Sequence, residues 1–338
     1  MPDQIATING KPAMMYVGEV PWHRLGKRFE TPPASAEQAI QAAGLDWEVG
    51  LKPVYAADSR HFCAFPQYRA TVRLDKWGQP DCVPFGLVGA DYTPLQNREA
   101  LSFFDTLVAA KGITYETAGA LGRGERVWIL ARVLGDDIAV KGVDIVQKFL
   151  LLSNGHDGRT ALQIRFTPVR VVCANTLSCA LSFGQDILKV YHRPDIHRRV
   201  GQAQERVKCI LDRFAELASH YEDFADKAMI GELLPNYLKE VFPDPKRRKN
   251  ESDLSYNRAV DEMNDLRKMG TRLFEEGRGN QTPPIRGTLW AAYNGVTELV
   301  DHHWECDTPS QQLAFLWFGE GERIKLRAFD TAVEFSKN

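Results

Sequence analysis

The sequence predicts an α+β protein: a mainly antiparallel β-sheet with covering helices in the first half, then a long helical hairpin and further helices in the second. Two patterns predict it. Short runs rich in β-branched and aromatic residues, divided by Gly, Pro, Asn and Asp, recur between about residues 47 and 166. After Pro194 the apolar period becomes helical: Ile196, Val200, Ala203, Val207, Ile210, Phe214, Leu217, Tyr221 and Phe224 stand alternately 4 and 3 residues apart, a heptad seam.

Taken in order, residues 1–35 read as an irregular arm around Pro21-Trp22-His23-Arg24-Leu25-Gly26, closed by Thr31-Pro32-Pro33. A helix follows, with Ser35 as cap, Gln38 three residues on, Ala and Ile through 36–43 and Gly44 as its left-handed stop. Trp47 to Tyr55, Tyr68 to Leu74 and Phe85 to Val88 read as strands. In the middle one, Ala70, Val72 and Leu74 point one way and Arg69, Thr71 and Arg73 the other, so one sheet face is expected to be basic. Asn97 should cap a helix over about 98–110 whose Leu101, Phe103 or Phe104, Leu107 and Val108 cover the sheet. Strands near 113–120 and 126–134 flank Gly122-Arg123-Gly124-Glu125, a hairpin turn and not a phosphate loop. A third hairpin runs from Val143 to about Phe166 with Asn154-Gly155-His156-Asp157-Gly158 as its turn. A weaker seam (Tyr256, Ala259, Met263, Leu266, Gly270, Leu273) predicts a second long helix folded back on the first, with Pro235, Pro243 and Pro245 breaking the path between them. Helical stretches near 287–303 and from about 308 complete the chain. The domains are thus the arm 1–35, a sheet domain 36–193 with a basic face, and a helical domain 194–338.

Composition narrows the function. The 338 residues are 44% apolar and 25% charged with a net charge of -2, the proportions of a soluble globular protein with no overall polyanion-binding charge. No run of about 18 apolar residues is present, and the start lacks the basic-then-apolar order of a signal peptide, so a cytoplasmic protein without membrane contact is expected. The 6 cysteines form no CxxC pair, which argues against a zinc ribbon or a redox dithiol. Neither metal nor any other cofactor is expected.

Charge is uneven along the chain. Residues 158–208 hold 9 cations and 3 acids, while 1–157 hold 16 and 18 and 209–338 hold 17 and 23. Such a stripe (Arg159, Arg165, Arg170, Lys189, Arg193, Arg198 and Arg199 among its members) can track a phosphate backbone. It can equally be a solvated face paired with the acidic helices. The Lys246-Arg247-Arg248-Lys249 run lies in a Pro-flanked loop and reads as solvated charge. Tyr55, Tyr68, Trp77, Phe85 and Tyr92 could stack on bases; most sheet aromatics pack in cores, and Tyr68 and Trp77, near turns, are the better candidates. For an enzyme, the densest polar constellation is Asn154, His156, Asp157, Arg170, Cys173 and Asn175, but Val171-Val172-Cys173-Ala174 is the setting of a buried, inert cysteine. His302 and His303 are adjacent, hence about 100° apart on a helix, and do not form a same-face metal pair.

Four separated stretches resemble the phage/plasmid-like protein family, a domain of unknown function carried by phages, plasmids and laterally transferred islands. They are Pro21-Trp22-His23 with Leu25-Gly26; Leu152 to Gly158; Arg170 to Leu177; and Gly287 to Trp290 with Asn294, Glu298 and Asp301-His302. The likeness spans about residues 20–335, with Arg24 where the family more often has a small residue. It implies a mobile-element context and DNA handling. The order helix, basic hairpin, third strand, covering helix also resembles the core of RecT and Red-beta type single-strand annealing proteins, which work as oligomers without metal or nucleotide.

The expectation is therefore a non-enzymatic, homo-oligomeric protein that binds and anneals single-stranded DNA. Arg69, Arg73, Arg159, Arg165, Arg170, Asn175, Lys189, Arg193, Arg198 and Arg199 would contact the strand, and Tyr68 and Trp77 would stack on bases. Two rivals stand beside it: an enzyme acting on nucleic acid or nucleotides through His156, Asp157, Arg170, Cys173 and Asn175, and an interaction protein that displays the heptad seam.

Overall fold

The structure, a computed structural model, describes residues 5–8, 10–18, 26–58, 60–80, 82–110, 112–170, 175–176, 188–211, 213–249, 251–306, 311–312, 315–316 and 319–337. The fold class is α+β, with the helices gathered in the C-terminal half.

The strands are β1 (Thr7–Ile8), β2 (Lys11–Pro12), β3 (Met14–Val17), β4 (Lys27–Phe29), β5 (Val49–Ala57), β6 (Phe62–Arg73), β7 (Gly86–Gly89), β8 (Ile113–Leu121) and β9 (Arg126–Val133). They continue with β10 (Ile138–Val140), β11 (Asp144–Gln147), β12 (Phe149–Gly155), β13 (Leu162–Phe166), β14 (Val169–Arg170), β15 (Asn175–Thr176) and β16 (Leu188–Val190). The largest sheet has seven strands in the order β16-β13-β12-β9-β8-β3-β4. Its neighbours are antiparallel except for β3 and β4. One face, with Ala118, Ala120, Ile129, Ala131, Leu150, Leu152 and Ile164, lies under α1 (Ala36–Ala42), α2 (Asn97–Leu101) and α3 (Asp105–Ala109). The other face holds a smaller cluster of Met14, Tyr16, Leu121, Trp128 and Leu151.

The first 35 residues are thus not an irregular arm. Ala13-Met14-Met15-Tyr16 is buried on both faces of the main sheet, and such a strand reads as a short unbroken apolar run without the alternation that marks a half-exposed one. Residues 21–25, 171–174 and 177 of the family-like stretches lie outside the described residues.

The first helix follows the expected chemistry: Ser35 caps it, accepting from the amide of Gln38 at 3.4 Å, and Gly44 follows with φ +67°. Asn97 does not cap. It is fully buried, Gln96 occupies the cap position, and the helix breaks into a 3-10 turn at Ser102–Phe104 before α3. The 154–158 stretch is not simply a turn either: Asn154 and Gly155 end β12, and His156 is buried beneath the neighbouring sheet.

The helical half contains α4 (Ile196–Leu211), α5 (Arg213–Asp226), α6 (Leu233–Val241), α7 (Asp253–Glu276), α8 (Leu289–Glu298) and α9 (Glu320–Lys337). Pro235 sits in the first turn of α6, where a missing N–H costs no helical hydrogen bond. Every residue of α8 is buried; α5, α7 and α9 all pack on it, and it runs into a π-helical turn at Leu299–His303. Tyr221, Phe224, Trp290, Tyr293 and Phe329 form the aromatic centre, with ring centroids 4.5–6.4 Å apart. The described seam residues Ile196, Val200, Ala203, Phe214, Leu217, Tyr221 and Phe224 are all buried within the chain. These seam residues are therefore core and not a display surface, which removes the basis of the interaction-protein reading at those positions. One apolar cluster runs from Ala6 to Val333 and crosses the expected boundary at residue 194 without a break.

Candidate functional site

Sheet β5-β6-β7 lies with one face on the body of the protein, while its other face is exposed at Tyr68 and Leu87 and buried at Ala70 and Val72. Cross-strand partners share a face, so register decides the orientation: Leu51, Thr71 and Gly86 form one row, and Lys52, Ala70 and Leu87 the next.

The first row faces inward. Thr71 is buried and donates to the carbonyl of His156 at 2.7 Å. Gly86 lies so close to the turn after β12 that a Cβ there would stand 2.3 Å from the carbonyl oxygen of Asp157. Gly86→Ala is accordingly expected to destabilise by about 1–3 kcal/mol, read as a lowered urea midpoint; an unchanged midpoint would show that the contact is not tight. Arg73, on this same face, is buried. Its guanidinium lies 4.8 Å from the Trp47 ring and its Nε and Nη2 donate to Asp75 at 3.0 and 2.6 Å. Arg69 is half-exposed, with Nη1 donating to the carbonyls of Pro66 and Tyr68 at 2.8 Å each. The arginine-bearing face is thus the covered one, and Arg73 is not a strand contact. Alternation tells which residues share a face, but not which face is packed.

The outer row displays aromatics. Tyr68 is 46% and Trp77 53% exposed, as expected of stacking residues, and the Lys52 ammonium lies 4.6 Å from the Trp77 ring. Phe85 is instead buried beside Trp47 and His156. Because β7 pairs only with Tyr68 to Thr71, β5 and β6 run on as a two-stranded ribbon carrying exposed Tyr55, Phe62 and Phe65. Phe62, at 81% exposure, and Phe65 escaped sequence reasoning. The available signal was Pro66, which disfavours a central strand and marks the end of this hairpin as an edge.

Beneath the sheet lies a polar centre. His156 is fully buried, with Nε2 2.9 Å from Asn97 Oδ1. Asn97 Nδ2 donates to the Leu45 carbonyl at 3.0 Å, so its Oδ1 accepts and His156 carries its proton on Nε2. Burial, with a smaller contribution from His192, pushes the His156 pKa down to about 3, and its Nδ1 has no hydrogen-bond partner among the described residues. The Tyr92 ring stacks on His192 at 4.9 Å, its hydroxyl donates to the Gly155 carbonyl at 3.2 Å, and Thr93 N donates to the His192 carbonyl at 3.3 Å. Burial raises the Tyr92 pKa and lowers that of His192.

These contacts tie the β7–α2 loop to the segment before α4 and bring a basic rim to the edge of the aromatic sheet. Exposed Arg159 stands on the turn that Gly86 touches, and exposed Lys189 and Arg193 flank His192. Arg198 and Arg199 follow on α4, both bonded to Asp195, at 2.9 and 2.7 Å. With Lys189, Gln202 and Glu205 they line an open groove of about 600 Å³ between β16 and α4.

Other expected residues are placed elsewhere. Arg165 is largely buried in an ion pair with Glu322 of α9, also donates to Gln163 from Nε at 3.1 Å, and has its pKa lowered to about 10 by burial and by Arg126. It cannot serve a phosphate without breaking that pair. The Arg170 and Asn175 backbones pair with each other in the sheet of β10, β11, β14 and β15. Their side chains, and Cys173, lie outside the described residues. Seven-residue β12 separates the Arg170 backbone from His156, on the order of 20 Å at about 3.3 Å per residue. Asp157 accepts from the amides of Arg159 and Thr160 at 2.8 and 3.0 Å, closing its own turn. Of the constellation weighed for an enzyme, the described parts, His156 with Asp157 and the backbones of Arg170 and Asn175, are not brought together.

Sequence reasoning also missed a buried polar row along α8. Trp290 Nε1 donates to Asp144 at 2.8 Å, and Lys325 Nζ donates to Asp301, the aspartate of the π-turn, at 2.8 Å, with both side chains almost wholly buried. Single charged residues among polar neighbours carry no signal of burial.

Residues 84–317 match the family model described as "Domain of unknown function (DUF932)". The chain belongs to the DUF932 family. Neither a curated protein nor a solved structure matches it. Among the described residues of this DUF932 protein no helix is long and apolar enough to cross a membrane, and no group of three His, Cys, Asp or Glu side chains could hold a metal ion.

Proposed function

We propose that this DUF932 protein binds single-stranded DNA on the outer face of the β5-β6-β7 sheet and promotes strand annealing as an oligomer, in the setting of a phage or another mobile element. The observation that carries the reading is the junction of an exposed aromatic ribbon with a basic rim. Tyr68 and Trp77, joined by Tyr55, Phe62 and Phe65, offer π faces to unpaired bases, which a duplex would keep stacked among themselves. Lys52 on that face, and Arg159, Lys189, Arg193, Arg198 and Arg199 on the rim, would meet phosphates, whereas Arg69 lies on the covered face. Arg73 and Arg165 are not part of the interface.

Fluorescence anisotropy of a labelled oligonucleotide, single-stranded and duplex, over a salt series tests it. Single strands should bind more tightly than duplex. Tyr68→Ala with Trp77→Ala should weaken single-strand binding by at least about thirtyfold, since each stacked base contributes about 1–3 kcal/mol. Lys189→Glu with Arg193→Glu should flatten the dependence of log K on log salt by about 0.7 per phosphate lost. Failure of the wild-type protein to bind at low salt, or unchanged affinity in both variants, would remove the proposal. A complementary-strand pairing assay, with sedimentation to follow assembly, tests annealing itself.

A further inference from the structure

A second basic surface sits in the otherwise acidic helical half, where residues 209–338 hold 17 cations against 23 acids. Lys246, Arg247, Arg248 and Lys249 are all exposed on the loop between α6 and α7. The loop is fixed at both ends. Toward α6, Arg267 of α7 donates from Nη2 to the Phe242 carbonyl and to Asp244, at 2.6 Å each. Toward α7, the Arg247 guanidinium stacks 5.5 Å from the Tyr256 ring and pairs with Asp253, and Glu251 closes a turn on the Arg248 amide at 2.9 Å. Ser252 then caps α7, accepting from the Ser255 amide at 3.2 Å.

Arg247 is spent on holding the loop. The side chains of Lys246, Arg248 and Lys249 form no ion pair among the described residues, so three cations within four residues face solvent, with Glu251 held at the Arg248 amide. A solvated charge run that merely kept the chain soluble would need neither the Tyr256 stack nor the two-ended anchorage. Among the described residues of this stretch Leu254 is the only large apolar side chain exposed, too little apolar surface for insertion into a bilayer.

We infer that the 246–249 loop is a second anchor for the phosphate backbone of the same nucleic acid, contacting charge and not bases. The inference rests on the single-strand reading above and extends it, giving a bound strand two separated points of attachment. Anchors that read only phosphate should leave base preference untouched and change the salt dependence.

The test uses the full chain with Lys246→Glu, Arg248→Glu and Lys249→Glu combined, and a second variant with Gln at the same three positions, each checked for a wild-type thermal transition. With a labelled 60-nucleotide single strand, loss of three phosphate contacts should lower the slope of log K against log salt by about 2 and the affinity by at least about tenfold. Tyr68→Ala should lower affinity with the slope unchanged. Wild-type binding with the slope retained in both loop variants overturns the inference and leaves the sheet reading standing. Absence of wild-type binding overturns both. Loop-dependent binding to phosphatidylserine vesicles, with oligonucleotide binding unaltered, assigns the loop to a membrane and also overturns it.

Discussion

Replacing Lys325 by Met should destabilise the protein by about 3–5 kcal/mol, the largest single effect expected on its stability. The Lys325 side chain is 1% and that of Asp301 4% exposed, and Nζ and Oδ1 are 2.8 Å apart. Two charges taken out of water tolerate burial only in each other's company. Removing the cation takes away the positive charge that Asp301 meets at 2.8 Å while its carboxylate stays buried, and that desolvation is what the variant exposes. The double change Lys325→Met with Asp301→Leu removes both charges and should recover most of the loss, since apolar pairs of similar volume often replace buried ion pairs at little cost. Urea unfolding of the two single variants and the double closes the cycle. A Lys325→Met protein within about 1 kcal/mol of wild type would mean that water reaches the pair.

The second large effect is on acid stability. His156 is neutral in the folded protein because burial pushes its pKa down to about 3, whereas in an unfolded chain a histidine titrates near about 6.5. The unfolded state therefore takes up the proton first as pH falls. The stabilisation is complete above about pH 6.5 and is lost as pH drops toward the folded value, by about 1.4 kcal/mol per pH unit. Between pH 6.5 and 5, where most carboxylates remain ionised, this removes about 2 kcal/mol. His192, lowered chiefly by burial, acts in the same direction. Thermal melts across that window should show a falling midpoint in the wild type and a flatter one in His156→Gln, whose amide can still donate to Asn97. Identical pH slopes in the two proteins would show that His156 is already charged or exposed when folded.

Much of the backbone was legible. The alternating runs became β5 to β9, the Ser35 and Gly44 signals bounded α1, and the heptad seam became α4 and α5, because these patterns express local propensity and one-sided burial. The candidate site was legible only in part. Tyr68 and Trp77 are exposed, and Lys189, Arg198 and Arg199 line one groove. Arg73 and Arg165 do not, although they carry the same charge in similar strands, because Trp47 with Asp75 and Glu322 with Gln163 enclose them. Asn97 and His156 have the composition of a cap and a turn, yet they meet across 59 residues of chain as a buried pair.

The sequence by itself determined the fold class, the heptad period, the reversal points and the clustering of cations in 158–208, since periodicity, turn chemistry and charge are properties of neighbours along the chain. Only the tertiary structure decided which face of the β6 strand is covered, which arginines are neutralised, and that the seam is core. Those outcomes depend on partners such as Asp157, Glu322 and α8, which lie far along the chain from the residues they cover and are brought to them only by packing.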